Sequence, residues 1–191
     1  MSVKRLIVGI TGSSGIVYAI RLLEILRHMP IETHLVVTKA GQLTRAYETD
    51  YSLPQLKEMA DVYHSINDIA SPLASGSFQT MGMIIVPCSM NTLSEVAHGL
   101  SSNLLTRAAD VVLKERRRLV VVPREAPLHL KHLENMVEVT KNGGIIFPLA
   151  PAFYQKPLSI SELIDDTLGR ILDLFALEHQ LVKRWPKSLC Q

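Results

Sequence analysis

The sequence predicts an α/β protein, a three-layer, doubly wound parallel sheet in a single domain. Apolar, β-branched runs alternate along the chain with segments of helical periodicity, the pattern of a parallel sheet buried between layers of helices. The first such unit is the clearest. Leu6–Ile10 is an apolar run, glycine and serine cluster at Gly12–Gly15, and apolar residues then recur at 16, 19, 20, 23 and 26. A chain of 191 residues has ample material for one core.

Strand, tight turn and helix are therefore expected over 6–26. A second strand, His34–Thr38, leads into a helix over Lys39–Glu48, and Pro54 opens a short helical piece through Ala60. Asp61–His64 is a candidate short extended segment. From Asn67 to Thr80 the chain is rich in Ser, Gly, Pro and Ala, a loop long enough for a binding role and equally compatible with a surface connection. Met83–Val86 reads as a buried strand, followed by Pro87–Thr92 and a helix through Ala97. A helix from Leu104 to Arg118 precedes the strand Leu119–Val122, the turn Pro123–Pro127 and a helix from Leu128 to Lys141. Gly144–Phe147 is the fifth strand. An irregular loop over Pro148–Pro157 then meets Ser159 and Glu162, a capping box for a long last helix through about His179.

Composition narrows the function. Net charge is only +2, with Lys+Arg 20 against Asp+Glu 18, so bulk electrostatics do not argue for nucleic acid. Hydrophobic residues make up 47%, a surplus that suits subunit contacts. Cys88 and Cys190 show no pairing pattern, which points to a reducing, cytoplasmic setting. No apolar stretch reaches the ~18 residues of a membrane span, and the short N-terminal apolar run is a first strand and not a signal peptide.

In such sheets ligands bind beyond the carboxyl ends of the strands. The segments brought to that edge are Gly12–Gly15, Thr38–Lys39, Pro87–Thr92, Pro123–Pro127 and Pro148–Pro157. Gly9, Gly12 and Gly15 miss the dinucleotide fingerprint by one position, no Walker lysine follows, and the second strand ends in Thr38–Lys39 without the acidic residue that grips a ribose diol. A phosphate-bearing mononucleotide at the N-terminus of the first helix, held with Ser13 and Ser14, fits these residues; a turn needing glycine only for its geometry fits them too. Arg107 and Lys114, seven apart on one helical face, make a candidate second anion site, whereas Arg116–Arg118 read as a solvated helix end. Arg124 and Glu125, between two prolines after a buried strand, favour a site role over a structural ion pair. His129 and His132 lack a third metal ligand, and Cys88 reads as a small buried residue and not a nucleophile.

Assembled, these residues resemble the UbiX family of flavin prenyltransferases, within the wider flavoprotein group that includes flavin-dependent cysteine decarboxylases. The motifs Ile10-Thr-Gly-Ser-Ser-Gly15, Pro87-Cys-Ser-Met-Asn-Thr92, Arg107-Ala-Ala-Asp-Val-Val-Leu-Lys-Glu-Arg-Arg117, Val122-Pro-Arg-Glu-Ala-Pro127 and Phe153-Tyr154 stand in family order over nearly the whole chain. The second is shared with the decarboxylases; the run from Arg107 to Pro127 is more specific to the prenyltransferases. The resemblance implies a Rossmann-like, FMN-binding domain over 1–191, with the last helix and tail from about 159 helping to close the site and make oligomer contacts. It also implies a cytoplasmic homododecamer and a metal-independent transfer of the dimethylallyl group of dimethylallyl monophosphate to N5 and C6 of reduced FMN. The product would serve a UbiD-type decarboxylase. By motif, Gly12, Ser13, Ser14, Thr38, Ser89, Met90, Asn91, Thr92 and Arg124 would hold FMN. Lys114, Tyr154 and Arg170, with Arg107, Glu48 and Trp185, would surround the prenyl phosphate, and Ser14, Lys114 and Glu125 would carry the chemistry. Thr38 departs from the serine frequent in the family but keeps the hydroxyl. An FMN-dependent decarboxylase acting on its own acid, or a non-catalytic FMN carrier, are the rival readings.

Overall fold

The computed structural model describes residues 3–154, 156–182 and 184. It divides the chain into two compact units, Met1–Pro148 and Leu149–Gln191.

The first unit is built on a six-stranded sheet, one strand more than the five expected. Its strands are β1 (Arg5–Ile10), β2 (Glu32–Val37), β3 (Val62–His64), β4 (Gly82–Cys88), β5 (Arg118–Pro123) and β6 (Ile145–Ile146). Their order is β3-β2-β1-β4-β5-β6, and every pair is parallel. The extra strand is the short extended segment at 62–64, which has only three residues and so little periodicity to read. Between the strands lie α1 (Ile16–Leu26), α2 (Lys39–Glu48), α3 (Leu53–Glu58), α4 (Met90–Ala97), α5 (Leu104–Lys114) and α6 (Leu130–Lys141). Alternation within the strands sorts the core. Ile7, Val36, Met83, Ile85, Leu119 and Val121 join one cluster with Leu93, Leu105, Ala108, Val112 and Val139 of α4, α5 and α6. Their neighbours Leu6, Val8, Leu35, Ile84, Val86, Val120 and Val122 are equally buried, each at 0% exposure, so the sheet is covered on both faces.

Helix ends are set by local chemistry. The helix expected to run to Arg118 stops at Lys114: Arg116 turns left-handed at φ 55°, its N–H donates to Leu113 O at 3.0 Å, and the Arg117 N–H donates to Val112 O at 2.9 Å. That double closure ends the helix without glycine and starts β5 at once. Arg117 is then not solvated, because its guanidinium donates to the carbonyls of Phe78 at 2.7 Å and Gly76 at 2.6 Å.

The second unit contains α7 (Ile160–Asp173), shorter than the helix expected to reach His179. Asp173 is the reason: its carboxylate takes His179 Nε2 at 3.0 Å and Arg184 Nη1 at 2.6 Å, and Ala176 sits at φ 52°, so the chain folds back. The capping box is half made. Ser159 Oγ accepts from the Glu162 N–H at 3.1 Å, but Glu162 takes the Leu158 N–H in place of that of Ser159.

Candidate active site

The strand order reverses between β1 and β4, and their carboxyl ends open the crevice where doubly wound sheets bind ligands. Thr11 braces it. Its Oγ donates to Pro87 O at 2.8 Å and accepts the Ser89 N–H at 2.7 Å, stitching the two strand ends together. Gly12 follows because no side chain fits: a Cβ there would lie 2.5 Å from Cβ of Ala40. The close approach lets Thr44 Oγ donate to Gly12 O at 3.1 Å, drawing α2 against the turn.

A cavity of about 420 Å³ opens beside this brace, lined by Gly12, Thr38, Lys39, Ile66, Asn67, Ser89, Asn91, Thr92 and Asn103 among others. Three helices begin on it. Thr38 caps α2 by accepting from the Gly41 N–H at 3.0 Å, Ser89 caps α4 by accepting from the Thr92 N–H at 3.3 Å, and Asn103 caps α5 by accepting from the N–H groups of Leu105 at 2.9 Å and Thr106 at 3.2 Å. Each cap satisfies an amide deep in its first turn. The leading amides of α2 and α4 have no intrahelical acceptor, and their partial charges add at one place, whereas the Leu104 N–H that opens α5 is taken by Ile66 O at 2.9 Å. With the Lys39 ammonium beside them, the cavity is built for an anion with several oxygens.

The first helix, by contrast, is already closed. Gly15, at φ 108°, turns the chain into α1, and the Glu48 carboxylate accepts the Gly15 N–H at 2.9 Å and the Ile16 N–H at 3.0 Å. Partial burial works against the Glu48 charge, but hydrogen bonds from Ser14, Gly15 and Ile16, with the Arg124 charge, outweigh it and hold the carboxyl below its ordinary range. The phosphate expected at the N-terminus of α1 thus finds its place taken by a side chain, and the open leading amides at the crevice are those of α2 and α4. Ser13 Oγ donates to the Arg124 carbonyl, and the Arg124 N–H donates to Cys88 O at 3.3 Å, so the turn after β5 is tied to those after β1 and β4. Glu125 is exposed and accepts the N–H of Ala126 at 3.0 Å. Cys88 is fully buried, and burial raises its thiol far above the ordinary range, so it stays protonated. Met90 is the first residue of α4 and half-buried.

Arg107 and Lys114 do not form a second anion site within one chain. Arg107 is taken by Asp110 at 2.6 Å and by Ala74 O at 3.3 Å, and Lys114 pairs with Glu115. Lys114 instead lines a separate cavity of about 620 Å³ with Thr106, Asp110, Arg116, Lys141 and Asn142. It stands at the far end of α5 from Asn103, about 16 Å along an 11-residue helix. Tyr154 and Arg170 belong to the second unit, Tyr154 at 63% exposure and Arg170 on the exposed side of the last turn of α7. Trp185 lies outside the described residues. Thr11, Asn67 and Asn103 were not singled out by sequence reasoning. Asn103 with Thr106 has the capping-box spacing that could have flagged it; Thr11 and Asn67 carry no such signal.

A flavoprotein family model matches residues 1–185. The flavin prenyltransferase UbiX of Escherichia coli K12 is 52% identical over 185 residues, covering 95% of this chain and 98% of that protein. The chain belongs to the UbiX family of flavin prenyltransferases. Solved structures agree. The crystal structure of AnUbiX (PadA1) in complex with FMN and dimethylallyl pyrophosphate matches with a TM-score of 0.95 at 50% identity, over 97% of this chain and 98% of that one. The dodecameric FMN-dependent UbiX-like decarboxylase of Escherichia coli O157:H7 matches with a TM-score of 0.93 at 46% identity, over 95% and 99%. The donor set described above fits the phosphate of FMN: hydroxyls of Thr38, Ser89 and Thr92, amides of Asn91 and Asn103, one ammonium and the N-termini of α2 and α4. Among the described residues no helix is long and apolar enough to cross a membrane.

Proposed function

We propose that this protein transfers the dimethylallyl group of dimethylallyl monophosphate to N5 and C6 of reduced FMN, making the prenylated flavin used by a UbiD-type decarboxylase. In a chain of this family, the observation that carries the reading is the convergence of α2, α4 and α5 on one anion-binding cavity at the sheet's switch point. Reduced FMN supplies the electron-rich ring atoms. Thr38, Ser89, Met90, Asn91 and Thr92 hold its phosphate and chain, while Gly12, Ser13, Ser14 and Arg124 border the flavin.

Tyr154, Arg170, Lys114 and Arg107 take the phosphate of the donor, whose departure they favour by charge-assisted hydrogen bonds in place of a metal. Glu125, with Ser14, moves the proton that leaves the flavin as the ring closes, and Glu48 borders the donor phosphate. Trp185 closes over the reacting groups. Because Lys114 sits at the opposite end of α5 from the cofactor cavity, it serves the site of a neighbouring copy. This reading matches the dodecameric relative and the apolar surplus of the sequence. The chain acts as one flavin-binding domain in the cytoplasm, a setting suited to the unpaired, buried Cys88.

Anaerobic incubation with reduced FMN and dimethylallyl monophosphate, then mass spectrometry of the extracted flavin, should show the gain of one prenyl unit only when the protein is present. Unmodified FMN together with CO₂ release from an aromatic acid would instead establish a direct decarboxylase.

A further inference from the structure

Behind the cofactor cavity runs a buried chain of side chains that the prenyl transfer does not use. Glu32 Oε1 meets His34 Nε2 at 2.8 Å, His34 Nδ1 meets His64 Nε2 at 2.9 Å, and His64 Nδ1 meets Ser71 Oγ at 2.8 Å. His34 is 3% exposed, His64 7% and Ser71 3%. Arg5 anchors the acidic end, donating to the same Glu32 oxygen at 2.8 Å and lying over the Phe78 ring, whose edge meets His34. Groups facing the pair are Arg5 from β1, Glu32 from β2, Asp61 just before β3 and Asp68 from the following loop.

Donor order along this chain is fixed by its ends. An ionised Glu32 accepts only, so His34 donates through Nε2 and must accept at Nδ1. His64 therefore donates through Nε2 and accepts at Nδ1, and the Ser71 hydroxyl donates to it. With both imidazoles neutral every bond is made. One added proton breaks the order wherever it lands. On His34 it forces His64 into the other tautomer; on His64 it occupies Nδ1 directly. Either way His64 Nδ1 becomes a donor, and Ser71 must turn its own proton away from His64. The Ser71 oxygen also accepts the Leu73 N–H at 3.4 Å, so its hydroxyl must reorient between two neighbours that would both donate to it.

Ser71 matters because of what it closes. The chain from His64 to Ser71 is a tight loop, with Asp68 N–H on Ser65 O at 3.0 Å and Ser71 N–H on Asp68 O at 3.2 Å, and the His64–Ser71 bond joins its two ends. At its tip Ile66 and Asn67 line the cofactor cavity, and Ile66 O accepts the N–H of Leu104, the first residue of α5.

We propose that His34, His64 and Ser71 are positioning residues, a proton-sensitive clasp that seats the 65–71 loop against the cofactor and makes flavin binding depend on pH. This rests on the FMN reading of the cavity. Burial first, and then the neighbouring His34, hold His64 below the ordinary histidine value against the pull of Asp68, so a proton reaches His64, and opens its bond to Ser71, only on acidification.

The test is FMN titration of the full-length protein by flavin fluorescence from about pH 8 to about pH 5.5, alongside Ser71→Ala, with hydrogen exchange of the 65–71 segment measured without FMN. The wild type should bind about tenfold more tightly than Ser71→Ala at the upper pH, and the ratio should fall toward one at the lower. Ionisation of the FMN phosphate is common to both proteins and cancels. Protection of 65–71, corrected for intrinsic exchange, should fall with pH in the wild type only. A ratio that stays constant across the range, or wild-type protection that does not respond to pH, would overturn the clasp. If neither protein binds FMN at any pH, the cofactor assignment fails instead, and the exchange data still decide the clasp.

Discussion

Glu48 shows how one residue redirects a site. A glycine-serine turn before a helix invites a phosphate, but ten residues beyond Thr38 the end of α2 delivers a carboxylate to the same amides. Its charge is held by hydrogen bonds that exist only in the folded chain, so its folded pKa lies below the ordinary glutamate value near 4.5. The linked stability is complete above that value and is lost as pH falls through the depressed one. Because the group is exposed and screened, Glu48→Gln should lower stability by roughly 0.5–1 kcal/mol at neutral pH. In urea denaturation the gap between variant and wild type should close on acidification below about pH 4. No sequence pattern links residue 48 to residue 15, which is why the turn alone suggested a phosphate at α1.

At the scale of elements, the caps explain both fold and site. Thr38, Ser89 and Asn103 start their helices and, for the same reason, place the leading amides on one cavity. Asn103→Ala removes a cap and should cost about 1 kcal/mol, or about 2–4 °C in Tm. Asn103→Asp keeps the cap and suits the helix dipole, yet sets a negative charge on the anion cavity. Its melting temperature should hold while FMN affinity falls about tenfold. A loss of stability without loss of affinity would separate Asn103 from the ligand. These elements were legible in the sequence because their signals are local. Periodicity over 16–26 found α1, and the run after Gly82 found β4. The three residues of β3 showed only as a short extended segment, not as a sixth strand; what stayed hidden was long-range, the left-handed Arg116 that ends α5 and the His34–His64–Ser71 chain, whose members lie 30 and 7 residues apart.

At the scale of the whole molecule, α5 divides the proposed machinery. Its first turn faces the cofactor cavity and its last residue lines another, so Arg107 and Lys114, read from their spacing as one anion site, separate in space: Arg107 is held by Asp110 and Lys114 lines the second cavity. A site completed by neighbouring copies predicts complementation. Lys114→Ala and Glu125→Gln should each abolish prenyl transfer alone, and co-assembled oligomers of the two should recover part of it, measured as prenylated flavin per subunit. Recovery no greater than that of separately assembled mixtures would place both residues in one copy's site.

The carboxylate bound at the start of α1 acts in the same molecule as a tethered competitor. Its local concentration is set by the fold and not by the buffer, so a free anion meets it at a lasting disadvantage. Of the helix openings of α1, α2 and α4, the first is therefore barred to small anions while the other two remain receptive. Crystals grown or soaked in sulfate should show density over Ser89–Thr92 and none over Gly15–Ile16 until Glu48 is neutralised. The protein thus discriminates between chemically equivalent binding places by filling the wrong one from within.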